Sequence, residues 1–296
     1  MKGLVFVKKG RIIKALVSVM ALSFLIAGCG TPGESSKSSS TASESTTASS
    51  TTAAVDQSWD KVKEKGELVL GLDESFPPMG FRDEDNNIVG YDIDLAKEVA
   101  ARLGVKLTLQ PINWDSKDQE LNTGNIDCIW NGFSISEKRK QNILFSDPYM
   151  KNNQVVVVMA DSKYNTLADL KGKTVSLQAQ SSAADAIDKN KDFKSSLKDV
   201  VELKDNTLCL MDLKTGNTDG VVMDEVVARY QIKINNGKYR IIDESLAVEE
   251  YGIGFRKGDV KLMTQVNDTL KAMAKDGKIT EISNKWFGKD ISIIEK

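Results

Sequence analysis

The 296-residue chain contains no histidine. Histidine is the usual base that activates serine and cysteine nucleophiles, and it is the commonest zinc ligand. Its absence removes the Ser-His and Cys-His systems and argues against a zinc centre. The sequence therefore favours a binding protein over an enzyme, and it predicts neither a cofactor nor a metal site.

Cysteine is scarce as well, with three residues in the whole chain. Cys128 lies in a predicted strand, and Cys209 lies in a predicted helix of the other half of the chain. An exported protein could join the two in a disulfide. Because they fall in different predicted lobes, we expect two buried, free thiols instead.

Positive charge is also in short supply. Residues 1–28 hold five Lys and Arg and no acid, so their removal leaves 35 basic against 42 acidic residues, a net charge of −7. A net negative chain repels the phosphate backbone. We therefore expect no nucleic-acid partner.

One long apolar run, ALVSVMALSFLIAGC, ends at Cys29 and follows the basic residues between Lys8 and Lys14. This order predicts an export signal over residues 1–28, because the run is short for a membrane span. Its end, at residues 26–29, resembles a bacterial lipobox. That resemblance implies a diacylated Cys29 that anchors the mature chain on the extracytoplasmic face of the cell membrane. The alternative is an ordinary transmembrane anchor with an incidental cysteine.

Residues 29–58 consist mostly of Ser, Thr, Ala and Gly. This composition cannot bury enough apolar surface to offset the entropy of ordering, so it predicts a tether. A glycosylated stalk is the alternative. The remainder, about 240 residues from Trp59 onward, is long enough for two lobes of ordinary size.

Short apolar strands alternate with helical patterns through this remainder, which predicts an α/β fold. The predicted strands are residues 67–72, 106–111, 126–130, 154–159, 174–177, 200–203 and 220–223. The clearest helix is YDIDLAKEVAARLG, for which we expect Asp92 as the N-terminal cap and Gly104 as the end. Two more amphipathic helices are predicted near the C-terminus, in DVKLMTQVNDTLKAMAKDG and KITEISNKWFG.

Two stretches of the chain repeat each other. Residues 120–132 read ELNTGNIDCIWNG, and residues 212–224 read DLKTGNTDGVVMD, with Leu, Thr, Gly, Asn and Asp at matching places. Each predicts a helix that ends at a glycine and leads into a short apolar strand. The repeat indicates two similar lobes, although such a connection can also recur by chance.

Ligands of open α/β sheets bind beyond the carboxyl ends of strands, so the residues after each copy are the candidates for a site. The first copy leads into NGFSISEKRK, in which Ser134 offers a hydroxyl and Arg139 can bind a carboxylate with two parallel hydrogen bonds. The second copy ends at Asp224, which could receive an ammonium group or simply cap the next helix. Likewise, EKRK could be a solvated face. Together the two ends suit an α-amino acid, which carries both charges.

The chain resembles the bacterial solute-binding proteins of ABC importers for polar amino acids, called family 3. The motifs that carry the resemblance run from Trp59 to the end of the chain: GLDESFPPMGF, VGYDIDLAKEVAARLGV, GNIDCIWNGFSISEKR, FSDPYM, LADLKGKTVSLQAQSSA, TDGVVMDEVVARY, YGIGFRKGD and DGKITEISNKWFG. The resemblance implies a two-lobed periplasmic-binding-protein-like fold of type II, with two strands crossing the hinge. It places lobe 1 at residues 59–150 and 250–296, and lobe 2 at residues 151–249.

The resemblance also implies roles for individual residues. Arg139 and Ser134, helped by the amide of Ser182, would bind the α-carboxylate, and Asp224 would bind the α-ammonium together with the main chain near Asn131 or Gly132. Side-chain specificity would come from three further residues: Asp73, Phe76 and Trp114. Core packing is the alternative for Trp114. The chain departs from the family pattern at Gln180, where glycine is usual, and in the charged stretch of residues 117–120.

The resemblance implies an extracytoplasmic substrate-binding subunit that delivers its ligand to an ABC permease and its ATPase, and we expect it to be a monomer. The alternatives are a tethered amino-acid sensor and an enzyme of the same fold, such as a dehydratase. The aromatic walls and Asp73 favour arginine, lysine, ornithine or glutamine as ligand, with cystine close behind.

Overall fold

The computed structural model describes residues 55–295, which belong to one compact unit. The predicted signal peptide, Cys29 and all but the last residues of the predicted tether lie outside the described residues. No helix within residues 55–295 is long and apolar enough to cross a membrane.

Ten α-helices form in the described part of the chain. They are α1 (Ser58–Lys65), α2 (Tyr91–Leu103), α3 (Lys117–Asn122), α4 (Glu137–Lys140), α5 (Ser182–Lys189), α6 (Lys191–Ser196), α7 (Asn206–Thr215), α8 (Glu225–Ile234), α9 (Val260–Lys275) and α10 (Lys278–Phe287). Short 3₁₀ turns occupy Trp114–Ser116 and Leu167–Leu170. The predicted C-terminal helices are therefore present as α9 and α10.

Thirteen strands accompany these helices. They are β1 (Glu67–Leu72), β2 (Ser75–Phe76), β3 (Gly80–Arg82), β4 (Ile88–Val89), β5 (Lys106–Pro111), β6 (Cys128–Ile129), β7 (Ile143–Phe145), β8 (Met150–Met159), β9 (Thr174–Gln178), β10 (Asp199–Leu203), β11 (Gly220–Asp224), β12 (Tyr239–Tyr251) and β13 (Gly254–Arg256). Strands β1 and β5 have the predicted bounds. Strand β6 is shorter than predicted, and β8 begins four residues earlier.

Two five-stranded sheets have equivalent strand orders and directions, which confirms the two-lobed fold. The first sheet has the order β5-β1-β6-β13-β7 and the second the order β10-β9-β11-β8-β12. In each, the first three strands are parallel and the other two run antiparallel to their neighbours. Strands β2, β3 and β4 form a small separate sheet.

The repeated stretches occupy equivalent places in these two sheets. The first leads from α3 into β6, and the second leads from α7 into β11, the third strand of each order. Both turns pass through a glycine of positive φ, Gly124 at 81° and Gly216 at 77°. After each glycine, an asparagine amide donates to the backbone of the preceding helix, Asn125 to Glu120 and Asn217 to Asp212. The repeat is therefore structural and does not arise by chance.

Two long strands connect the lobes. Strands β8 and β12 pair from Met159 with Tyr239 to Met150 with Tyr251. At the latter end, Tyr251 bridges to Ser134, next to the first sheet. Because both strands belong to the second sheet and end against the first lobe, they are the two hinge-crossing strands that the resemblance implied.

The expected cap of α2 was wrong. The N-cap position is Gly90, and no side chain caps the helix there. Asp92 is instead completely buried, and its carboxylate accepts hydrogen bonds from the Gly132 amide and the Tyr149 hydroxyl. Gly104 does end the helix, with a left-handed φ of 70°. The two cysteines of the described part are buried and free, as expected.

Candidate functional site

The floor of the cleft between the lobes is built from the inward faces of the two crossing strands. Asn152 pairs with Glu249 and Met150 with Tyr251 in the ladder between β8 and β12. Because side chains alternate along a strand, Asn152, Gln154, Glu249 and Tyr251 face the same side. All four make hydrogen bonds there with side chains that were predicted to bind the ligand, or with one another.

Asp224 ends β11 at this floor. It occupies the N-cap position of α8, but its side chain makes no capping hydrogen bond. Its Oδ1 instead accepts from Asn152 Nδ2 at 2.6 Å, Gln154 Nε2 at 2.8 Å and the Tyr251 hydroxyl at 2.7 Å. Burial raises the pKa of Asp224 to about 7, and the neighbouring Glu249 carboxylate adds to the shift. The alternative of a helix cap is therefore wrong for this side chain.

Arg139 lies on the side of the first lobe. It belongs to α4, and its guanidinium donates to the carbonyl of Ser134 at 2.8 Å and lies 4.5 Å from the ring centroid of Phe133. Burial lowers its pKa from the usual range, and the Glu249 carboxylate opposes that shift. The other residues of α4 are exposed, so most of EKRK is a solvated face. Only the Arg139 guanidinium is held against the protein, and it leaves donors for a carboxylate.

Ser134 and Ser182 meet across the cleft. Their hydroxyl oxygens lie 3.1 Å apart, and Gln154 Nε2 donates to Ser182 Oγ at 3.0 Å. Ser182 is the first residue of α5, where the partial positive charge of the helix N-terminus favours an anion. The two residues predicted to share a carboxylate are therefore adjacent, although one follows β6 and the other follows β9.

Asn131 and Gly132 precede Ser134 and are held by hydrogen bonds within the first lobe. The Gly132 amide donates to Asp92 Oδ2 at 2.7 Å, and Asn131 Oδ1 accepts from the Asp73 amide at 3.0 Å. Gly132 has a φ of 57°, and a Cβ there would approach the Phe76 ring to 2.9 Å. Only glycine fits between that ring and the backbone.

Asp73 is already engaged within the protein. Its carboxylate accepts from the Ser75 amide at 2.8 Å and from Gln178 Nε2, in the second lobe, at 2.6 Å. Burial raises its pKa, which these hydrogen bonds oppose. These partners leave Asp73 less free to meet a ligand than its place in the sequence suggested.

Trp114 is 8% exposed and packs edge-on against Phe133, with ring centroids 5.6 Å apart. The ammonium of Lys117 lies 5.2 Å from the Trp114 ring and donates to the carbonyl of Gln180 at 3.2 Å. The two departures from the family pattern therefore meet across the cleft. Gln180 has a φ of 56°, a conformation that favours glycine.

A cavity of about 230 Å³ opens beside this contact between the lobes. Its lining includes Arg139, Lys117, Gln180, Ser181 and Asp185. Burial lowers the pKa of Lys117 to about 8, with the charge of Arg139 adding to the shift. The lining is of mixed charge, since three basic side chains are accompanied by four acidic ones: Asp118, Asp185, Asp188 and Glu202.

Sequence reasoning missed the floor of the cleft. Glu249, Tyr251, Asn152 and Gln154 all contact predicted site residues or one another, yet none was selected. Their only signal is a run of polar residues, KNNQ and EE, inside two otherwise apolar stretches, and alternate members of such a run share one face of a strand. Asp92 was missed for a different reason, because it was assigned to helix capping. No group of metal-ligating side chains was found within residues 55–295.

Known proteins resemble this chain over most of its length. Residues 68–289 match the family described as bacterial extracellular solute-binding proteins, family 3. The L-cystine-binding protein TcyJ of Escherichia coli (strain K12) is 32% identical over 235 residues, 79% of this chain and 87% of that protein. The arginine-binding extracellular protein ArtP of Bacillus subtilis (strain 168) is 30% identical over 226 residues, 75% of this chain and 87% of that protein.

A solved structure shows the same architecture. The substrate binding protein of an ABC uptake transporter from Streptococcus pneumoniae, with bound histidine, has a TM-score of 0.79 and 36% identity, covering 81% of this chain and all of that one. These three relatives are named as binding proteins, which agrees with the expectation of a non-enzyme. The chain belongs to the bacterial extracellular solute-binding proteins of family 3.

Proposed function

We propose that this chain is the extracytoplasmic substrate-binding subunit of an ABC importer, which captures a polar L-amino acid between its two lobes and delivers it to the permease and its ATPase. Lobe 1 comprises residues 59–150 and 250–296, and lobe 2 comprises residues 151–249. The observation that carries the proposal is the pairing across the cleft: Arg139 and Ser134 on one lobe face Asp224 and Ser182 on the other.

The bound zwitterion would place its carboxylate at Arg139, Ser134 and the amide of Ser182. Its ammonium would lie at Asp224, near the main chain of Asn131 and Gly132. Both charges must be compensated because an unpaired buried charge costs several kcal/mol. Each receptor combines groups of both lobes, so a ligand that binds the two receptors holds the lobes closed.

The walls of the site would discriminate between side chains. Phe76 and Trp114 are both buried, at 6% and 8% exposure, and the carboxylate of Asp73 is engaged by Gln178. The ligand class remains arginine, lysine, ornithine or glutamine, with cystine possible. Relatives named for arginine, cystine and histidine binding support a polar amino acid.

The chain would act as a monomer on the extracytoplasmic face of the cell membrane. The anchor would be a diacylated Cys29, followed by a tether that lets the binding domain reach the permease. Support for the location comes from the extracellular family to which the chain belongs. The proposal that Cys29 carries a lipid rests on the resemblance of residues 26–29 to a lipobox.

Calorimetry on the detergent-solubilised full chain tests the binding function. Arginine, lysine, ornithine, glutamine and cystine are titrated beside glutamate and leucine. We expect saturable binding of at least one of the first five, tighter than glutamate and leucine by at least tenfold, or about 1.4 kcal/mol. Failure of all seven to bind would refute the proposed function.

A further inference from the structure

Glu249 lies inside the candidate cleft and was not among the residues predicted to bind the ligand. Its Oε2 accepts from Ser134 Oγ at 2.7 Å, from Gln154 Nε2 at 3.0 Å and from Asn152 Nδ2 at 3.3 Å. The first donor belongs to lobe 1, and the other two lie on the crossing strand β8. Glu249 therefore touches the carboxylate receptor and the hinge at the same time.

Glu249 and Asp224 share their donors. The same side-chain amides of Asn152 and Gln154 that contact Glu249 also donate to Asp224 Oδ1. Neither carboxylate has a Lys or Arg nitrogen within 4.0 Å among residues 55–295. The carboxylates of Asp224 and Glu249 are thus hydrogen-bonded by neutral side chains and have no direct counter-ion among the described residues.

The nearby cation Arg139 forms no direct ion pair with Glu249 or Asp224, and several acids share its charge. Burial lowers the pKa of Arg139, and four acids oppose that shift, Glu249 most strongly, followed by Asp185, Asp224 and Asp118. Asp185 forms its own ion pair with Lys138 at 2.9 Å. Burial lowers the pKa of Lys117, and the charge of Arg139 adds to that shift. The Lys117 ammonium donates to the backbone carbonyls of Trp114 and Gln180.

A neutral amino acid leaves this imbalance in place. Its carboxylate would neutralise Arg139, and its ammonium would neutralise Asp224, so Glu249 would remain as an unpaired charge beside the ligand. The repulsion between the two side chains is already visible without a ligand, since Glu249 contributes to the raised pKa of Asp224. An amino acid with a second positive charge would remove the imbalance.

We propose that Glu249 is the counter-charge that makes this cleft select an amino acid with a cationic side chain. The inference rests on the proposed function and assigns its substrate class. It replaces Asp73 in the role of counter-charge, because the Asp73 carboxylate is hydrogen-bonded by Gln178 and the Ser75 amide, whereas Glu249 accepts only from groups that line the cleft.

A competing account is that Glu249 merely occupies the Ser134 hydroxyl until a ligand carboxylate displaces it. Every amino acid carries that carboxylate, so loss of the Glu249 charge would then tighten all ligands alike. Under our proposal the effect depends on the ligand's side chain. The two accounts therefore predict different results for a charged and an uncharged ligand of the same shape.

The decisive pair of ligands is arginine and citrulline, which are nearly equal in shape and differ in side-chain charge. Calorimetry on the full chain in detergent at pH 7.5 should show arginine binding at least tenfold more tightly than citrulline. This first measurement needs no variant, so it cannot fail through misfolding. Equal affinities, or tighter binding of citrulline, would overturn the proposal.

The second measurement assigns the preference to Glu249. Glu249→Gln should weaken arginine at least tenfold and leave citrulline unchanged or tighter, so that the ratio of the two affinities falls towards one. Glu250→Gln is the matched control, because Glu250 is the next residue of β12 and is exposed on its other face. That control should keep the wild-type ratio.

Two outcomes of the variant experiment contradict the proposal. An equal change of both affinities in Glu249→Gln would favour simple occupation of Ser134, and an unchanged ratio would exclude any role in selection. Thermal unfolding of each variant without ligand checks that it is folded. If wild-type protein bound none of the amino acids, the proposed function itself would fail; binding of neutral amino acids alone would leave that function intact and refute only the role of Glu249.

Discussion

Asp224→Asn is the sharpest test of the ammonium receptor. Asparagine keeps the size of the side chain and one oxygen that can accept from Asn152, Gln154 and Tyr251, whereas alanine would leave all three buried donors without a partner. The substitution therefore removes the negative charge with little damage to the floor of the cleft. A change in ligand affinity then reports the charge.

The expected loss can be estimated from the surroundings of Asp224. Truncating one partner of a buried, hydrogen-bonded charge pair costs about 2–5 kcal/mol. Because Glu249 shares the same donors and keeps part of the negative potential, we expect the lower half of that range. A loss of about 2–3 kcal/mol corresponds to an affinity roughly 30- to 150-fold weaker.

The pH dependence gives a second reading of the same group. Burial, with the Glu249 carboxylate adding to it, raises the pKa of Asp224 to about 7, so this carboxylate gains a proton as the pH falls below neutral. The ligand's ammonium needs the ionised carboxylate, so wild-type affinity should be flat above pH 8 and fall by up to about tenfold per unit below pH 7. Asp224→Asn should lose this dependence.

Isothermal calorimetry between pH 5.5 and 8 measures both effects, with the strongest ligand found in the amino-acid titrations. Unfolding of the ligand-free variant should occur at the wild-type temperature or above it at pH 8, because a buried ionised carboxylate has been removed. An affinity within threefold of wild type in a folded variant would refute the assignment of Asp224. A wild-type affinity that rises as pH falls from 7 to 6 would contradict the expected titration of Asp224.

Three further perturbations test other parts of the molecule. Arg139→Ala should weaken binding by about 2–5 kcal/mol in calorimetry, because it removes the guanidinium of the carboxylate receptor; near-native affinity would contradict that role. Burial raises the pKa of Asp92 to about 7, so the folded state holds a proton that the unfolded state releases near pH 4, and stability should fall as pH rises through 7. In chemical denaturation Asp92→Asn should show a smaller fall between pH 5 and 8, and an undiminished fall would exclude Asp92 as its source. Cys29→Ser should move the protein from the membrane to the soluble fraction of lysed cells, and membrane retention would disprove the lipid anchor.

The periodicity of the sequence was sufficient for the α/β class and for seven of the thirteen strands, whereas the two-lobed type and the crossing strands came from the family resemblance. Strands β1 and β5 have the predicted bounds, and the two copies of the repeated stretch lie in equivalent places of two sheets with one design. These features depend on local alternation of apolar residues and on glycines that end helices, so they can be recognised within a short window. The helix cap was misjudged because Asp92 suits a cap as well as a buried hydrogen-bond network, and local sequence does not separate the two.

The sequence also indicated which side chains end or follow the two repeated strands, including Ser134, Arg139 and Asp224. Their roles in binding stay predictions. Only the tertiary structure decided which groups meet there: Asp73 with Gln178, 105 residues apart, and Ser134 with Glu249, 115 residues apart. Such pairs depend on the relative placement of two lobes, which the non-local pairing of β8 with β12 sets. Since no local pattern encodes that placement, the sequence could supply the charges of the site but not the partners that compensate them.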